Sequence, residues 1–404
     1  MSAFSKARKG SAETMACYIS SNDNRFYVAA ESTFGMVAAV AAENRFPAIK
    51  LAARQRIERA ERRDKTGGRT FVGIPSGVRR STSFELATYM TSWTTAPGEP
   101  AYGPLFHAAM GAEPAAFGGQ TVESAADAKS LRFTAAHGLA PGQAVTLDGE
   151  IRFVAAIIDE QAVELNAPFT SVPAAGQAVG STMTYSLATR LKSVSLYDCW
   201  SPGDAVQRIL AGAAIDRARI KVNGDYHEFE FSGAAADLID NSSFTDGQGG
   251  LTAFPEEPEV GELDYSIVPG HIGQAWLGTD PTRVYTLTSA ALEIDNDLDL
   301  RSREFGSAFP RCIVAGKRKV SFDFTLFSND QESTTALYQA ARQRSPIGVM
   351  VQLGQQEGQL FGVYVKSVVP EVPDFVDKET RLQWRFTNCR AQGTFNDELY
   401  VAFG

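Results

Sequence analysis

The stretch "SFDFTLFSNDQESTTALYQAARQ", residues 321–343, reads as a strand, a break and a helix. The helix is predicted over Glu332–Gln343, with Ser333 as its cap and Ala336, Leu337 and Ala340 on one apolar face. The same idea occurs earlier. From Ser83, "SFELATYM" alternates apolar Phe84, Leu86 and Thr88 at the two-residue period of a strand. "TAPGEP" breaks it, and "YGPLFHAAMG" follows, a short helix framed by a proline near its start and by Gly111 at its end.

The likeness extends further. Ser83-Phe84-Glu85-Leu86 matches Ser321-Phe322-Asp323-Phe324, and Leu105-Phe106-His107-Ala108-Ala109 matches Leu337-Tyr338-Gln339-Ala340-Ala341. Phe229-Glu230-Phe231-Ser232-Gly233 matches Trp384-Arg385-Phe386-Thr387-Asn388. Short alternating strands resemble one another by chance in any β-protein. The common order of strand, helix and strand favours a duplication all the same, because one insertion explains most of the extra length of the first copy. That insertion is the Ala/Val-rich segment 122–188, whose short strands lie between Pro-Gly and Asp-Gly turns.

The resulting division is 1–121 and 189–240 for the first copy, 122–188 for a small all-β insert, 241–264 for a Gly/Pro/Ser-rich linker, and 265–404 for the second copy. Two similar domains in one chain can occupy two adjacent positions of a ring, so three chains would imitate six-fold symmetry. The insert is expected on the outside of such a ring, where deleting it leaves assembly intact.

Composition narrows the function. The chain has 404 residues and a net charge of −9, which argues against a surface that grips nucleic acid by its phosphates. The four cysteines, Cys17, Cys199, Cys312 and Cys389, form no CxxC and read as single thiols in a reducing compartment. The first twenty residues carry positive charge without an apolar run, so no signal peptide is expected. "FGMVAAVAA" (Phe34–Ala42) is far short of the ~20 apolar residues of a spanning helix. Folding in a cytoplasm without a membrane anchor is expected.

Little in the sequence points to chemistry. "DNDLDLRSREFG" (Asp295–Gly306) has acids at the first, third and fifth positions of a calcium loop. It carries Leu300 and Gly306 where an EF-hand needs glycine and glutamate. Alternation instead puts Glu293, Asp295, Asp297 and Asp299 on one face of a strand, either merely solvated or lining a lumen. The histidines have no metal spacing, and no nucleophile elbow or phosphate-binding loop occurs, so neither metal, cofactor nor catalytic residue is expected. Arg54–Lys65, with Arg54, Arg56, Glu58, Arg59, Arg62 and Arg63, is dense in mixed charge; so is Arg301–Arg311, with Arg301, Arg303 and Glu304. Both are expected to be long loops or hairpins touching neighbouring subunits or rings.

The stretches "GKRKVSFDFTLFSND", "ALYQAARQRSPIGVMVQLG", "ALEIDNDLDL" and "SFELATYMTSWTTAPGEPAYGPLFHAAMG" resemble the tail tube proteins of long-tailed bacteriophages. In that family a strand of the form "sGsFel.l" precedes a helix carrying "plLkaa.G". The resemblance covers about residues 25–120 and 190–404, outside the insert. It implies two tandem β-sandwich or barrel domains, each flanked by a short helix. It also implies homotrimeric, pseudo-hexameric rings stacked into a tube, and no catalytic residues. Implied partners are further copies of the chain and the tape measure, tail terminator and baseplate proteins, with phage DNA passing through without specific binding. The implied location is the virion tail, and the host cytoplasm before assembly. A net-negative wall carrying the four acids would let DNA slide. Two other readings stand beside it: a distal tail or baseplate ring protein, and a carbohydrate-binding or carbohydrate-cleaving β-protein, which would need clustered exposed aromatics.

Overall fold

Alternating apolar residues between Gly, Pro and Asn-Gly turns leave this chain little but strands to form. A computed structural model describes residues 19–57, 64–73, 79–93, 99–200, 206–260, 265–300, 304–329, 332–378 and 380–404, and these are mainly β with two α-helices. The first part of the chain contributes β1 (Asn24–Ala30), β2 (Arg45–Phe46), β3 (Ala48–Ile57), β4 (Arg80–Tyr89), α1 (Gly103–Met110) and β5 (Ala115–Phe117). Then come β6 (Gln120–Ser124), β7 (Ser130–Phe133), β8 (Ala144–Leu147), β9 (Glu150–Ile157), β10 (Ala162–Leu165), β11 (Ala178–Val179) and β12 (Thr182–Ser186). They are followed by β13 (Val194–Trp200), β14 (Val206–Val222), β15 (Glu228–Ala235) and β16 (Asp237–Asp240). The second part contributes β17 (Gly273–Gly278), β18 (Thr282–Arg283), β19 (Leu287–Asp295), β20 (Leu298–Leu300), β21 (Ile313–Ala315), β22 (Lys319–Phe327) and α2 (Glu332–Gln343). It ends with β23 (Ile347–Leu353), β24 (Phe361–Val369), β25 (Asp374–Lys378), β26 (Arg381–Phe386), β27 (Arg390–Ala391) and β28 (Leu399–Phe403).

The two parts share one topology. β1 pairs with β2 and β13, as β17 pairs with β18 and β23. β4 lies between β3 and β15, as β22 lies between β19 and β26. β14 pairs with β16, as β24 pairs with β28. The register follows the sequence match residue by residue: Leu86 faces Phe231 and Thr88 faces Phe229, while Phe324 faces Phe386 and Leu326 faces Trp384. One difference is local. β14 runs unbroken for 17 residues, whereas Pro370 and Pro373 divide its counterpart into β24 and β25, since proline has no N–H to continue a ladder.

β6 to β11 form a separate six-stranded sheet around Val122, Phe133 and Val154. The insert ends before residue 188, because β12 pairs with β5 and β28 in the large sheet. Nor does the insert stand free. Ile151 and Phe153 are buried against Trp276, Met350 and Leu360 of the second repeat. The Arg152 guanidinium lies 3.8 Å from the Trp276 ring centre and donates to the carbonyls of Ile151 (2.7 Å) and Pro168 (2.9 Å). The equivalent face of the first repeat, around Tyr27, Tyr197 and Ile209, is covered by Phe244, Leu251 and Phe254. Residues 241–260, whose composition predicts a linker, are thus a strap, with Arg25 and Tyr27 both donating to Glu257.

α1 is buried at every position but Pro104. It ends at Gly111, where φ is +92° and a Cβ would stand 2.4 Å from the Arg190 carbonyl oxygen. α2 has the expected bounds, but Ser333 lies in its first turn rather than capping it, and Ala336 is exposed. Its inward face is Thr334, Leu337, Ala340 and Ala341. Among the described residues no helix is long and apolar enough to cross a membrane.

Two buried histidines make the fold acid-sensitive. Burial holds His107 and His227 below the usual histidine range, and for His227 it outweighs a 2.9 Å hydrogen bond to the Ile272 carbonyl. The unfolded chain protonates these rings near pH ~6.5 and the folded chain resists. Unfolding therefore takes up protons, and stability falls as pH drops below about 6.5 while staying level above it. Thermal unfolding at pH 7.5 and 5.5 should show a drop that narrows in His227→Gln; an unchanged drop would assign the effect elsewhere.

Candidate assembly site

The long strand β14 belongs to two sheets. Its first half pairs with β13 and β16, and its second half with β15 and β19. The switch occurs at a bulge between Ile215 and Arg217. There the backbones cross so closely that a Cβ on Gly233 would stand 1.9 Å from the Ala214 carbonyl oxygen, which is why glycine is needed. Asp216, the extra residue, accepts from the Leu298 N–H at 2.8 Å.

The β14–β19 pair joins the repeats. It makes one continuous run of strands in the order β3, β4, β15, β14, β19, β22, β26, β25. One face of this run is core, holding Phe84, Phe231, Ile220, Leu292 and Phe324. The other face carries charge of both signs. Arg217 reaches Glu293 at 3.3 Å and Asp295 at 3.2 Å, Lys221 pairs with Glu230, and Lys50 stands 3.9 Å from Glu85. The hydrogen bond to Asp295, and then the charge of Glu293, hold Arg217 above the usual guanidinium range.

Of the predicted acidic row, Glu293 and Asp295 lie on this face. Asp297 does not: β19 ends at Asp295, and Asp297 sits in a turn with φ of +49°. Asp299 is exposed on β20, which among the described residues pairs only with β21. The break comes from Asn296, which is buried and donates from Nδ2 to the carbonyls of Ala109 and Ile215 at 3.0 Å each. A row of four carboxylates on one strand face therefore does not form. Basic partners, Arg217 above all, balance the two acids that remain. Those partners were visible in "RARIKV", where Arg217, Arg219 and Lys221 alternate with Ala218 and Ile220.

Arg54 and Arg56 lie on β3, not in a loop, and both are exposed on the charged face. Glu58, Arg59, Arg62, Arg63, Arg301 and Arg303 lie outside the described residues. Glu304 is 4.0 Å from Arg311.

Among the described residues the run of strands has two open edges. β3 is paired on one side by β4, and β25 on one side by β26. Beside β25 stands an aromatic trio of Tyr338, Trp384 and Phe375, with centroids 5.3–6.0 Å apart. Phe375 is 57% exposed although it points to the core side of its strand. Sequence reading passed over β25, whose five residues between Pro373 and a turn carry too little pattern.

One buried carboxylate that invites a chemical reading has all its acceptor capacity taken up within the fold. Buried Glu31 accepts from Ser193 Oγ, Ser195 Oγ and the N–H groups of Gly35 and Gly212 at 2.6–2.9 Å, which leaves it saturated. Among the described residues no group of three or more His, Cys, Asp and Glu side chains could hold a metal ion. No family model matches the chain, and no curated protein matches it significantly.

Proposed function

We propose that the chain is a ring-forming structural protein, the subunit of a phage tail tube whose stacked rings conduct DNA. The observation that carries this reading is the β14–β19 pair, which joins two equivalent repeats edge to edge and, among the described residues, leaves an equivalent edge open at each end. Such a head-to-tail contact makes a ring where its rotation closes and a filament where it does not; in the ring, three chains of two repeats supply six positions. Tape measure, tail terminator and baseplate proteins are the partners of such a tube, and the virion tail its location.

The charged face of the joined sheet is the wall this reading assigns to the conduit. Its electrostatics differ from a simple negative wall. Arg217 and Lys221 are paired to acids on the same face, which lowers what counterion release gains at these two positions and favours sliding of DNA. Electron microscopy of the purified protein tests the reading. Rings of three chains with six lobes, stacking into tubes, are expected. Rings of six whole chains, or a chain that stays monomeric at every concentration and salt, would overturn it; rings that never stack would move the role to the baseplate.

A further inference from the structure

We propose that β25 of one copy pairs with β3 of a second copy, in the register that β14 takes on β19 but with the charges inverted. The inference rests on the ring reading and names its interface. The intrachain junction is the template. Through their partners β15 and β26, Arg219 and Ile220 of β14 correspond to Asp374 and Phe375 of β25. Through β4 and β22, Glu293 and Leu292 of β19 correspond to Arg54 and Ala53 of β3.

In the template Arg219 faces Glu293 and Ile220 faces Leu292. In the new junction Asp374 faces Arg54 and Phe375 faces Ala53. The size change is compensated, with a large residue against a small one replacing two of medium size. Ile220 is 3% exposed, whereas Phe375 is 57% exposed, because its covering strand belongs to another molecule. A second seat agrees. Asn296, which follows the template strand, is buried between Ala109 and Ile215. Its counterpart Ile57 is 52% exposed, and the matching groove, lined by Ala341, Glu371 and Val372, is open.

The inversion of charge decides which edges meet. β14 brings bases to acids on β19, while β25 brings one acid, Asp374, to a base, Arg54, on β3. A wrong pairing, β25 on another chain's β19 or β14 on another chain's β3, would set like charges opposite each other. Intrachain and interchain junctions therefore alternate without confusion.

Three variants of the full chain test this. Phe375→Asp, at a side chain more than half exposed in the single chain, should lower its melting temperature only slightly, through lost contact with Tyr338 and Trp384, and weaken ring association about 100-fold. Arg54→Cys with Asp374→Cys should give, on mild oxidation, a covalent species of three chains on non-reducing gels. Gln55→Cys with Asp374→Cys should not. Arg54→Glu and Asp374→Arg should each weaken association several-fold at low salt, and the double variant should recover it. If the wild type forms rings but Phe375→Asp assembles equally and the first cysteine pair stays uncrosslinked, this interface is wrong and the ring reading survives. Crosslinking only through position 55 would overturn the register, and absence of recovery would overturn the charge selection. A wild type that never assembles would overturn both readings. Should Phe375→Asp not fold, the cysteine pairs decide alone.

Discussion

Phe106→Ala should destabilise the chain by about 3–5 kcal/mol, the range for emptying a large aromatic site in a packed core. The ring is 1% exposed. It meets Phe229 (5.1 Å between centroids), Phe231, Phe361 and Phe403 (5.3 Å each). Phe229 and Phe231 belong to the first repeat, Phe361 and Phe403 to the second, so this side chain holds the repeats on one core. Edge-on contacts add to the area term. Its counterpart Tyr338 lies at the open end and is only half-buried, so Tyr338→Ala should cost clearly less in the isolated chain. Urea denaturation of both variants checks the pair. Equal losses would mean that α1 is not clamped between the repeats.

Excising the insert should have an effect of similar size, contrary to what its sequence suggests. Phe117 and Thr182 stand opposite each other on β5 and β12, so a two-residue Asn-Gly turn can replace the residues between them. The excision would bare Trp276, Met350 and Leu360, all 2% exposed or less. It would also remove Arg152 from the Trp276 ring. An apolar patch of that size on a sheet face drives association. The shortened chain is expected to be insoluble, and to regain solubility when Trp276 and Met350 are also changed to Gln and Lys. A soluble, ring-forming excision variant without those changes would show that the insert is only an appendage. Arg152→Leu gives a milder check: burial and Arg283 bring its guanidinium down to about 10 despite Glu150, so loss of the charge is partly offset by relief of its desolvation.

Much of the fold was legible residue by residue. Phe84, Leu86, Phe322 and Phe324 alternate because strands expose one face in two, and the matched segments proved to share register as well as order. α1 was legible from its framing residues, and the bounds of α2 were legible although Ser333 does not cap it. The candidate site was legible only in part. Arg54, Arg56, Glu293 and Asp295 do lie on one charged face, but their alternation says nothing of what stands across from them.

The sequence by itself determined the strand-rich composition, the repeated order of strand, helix and strand, and the start of the insertion but not its end, because periodicity and spacing are local and survive in the order of residues. Which strand lies beside which was decided only in three dimensions. β12 left the insert for the large sheet, the presumed linker became a strap held by Phe244 and Phe254, and the acidic row broke at Asn296. The physical reason is the same in each case. A backbone edge or an apolar face satisfies itself with whatever the tertiary fold brings near, and that partner can lie two hundred residues away, as Gln352 does from Arg152.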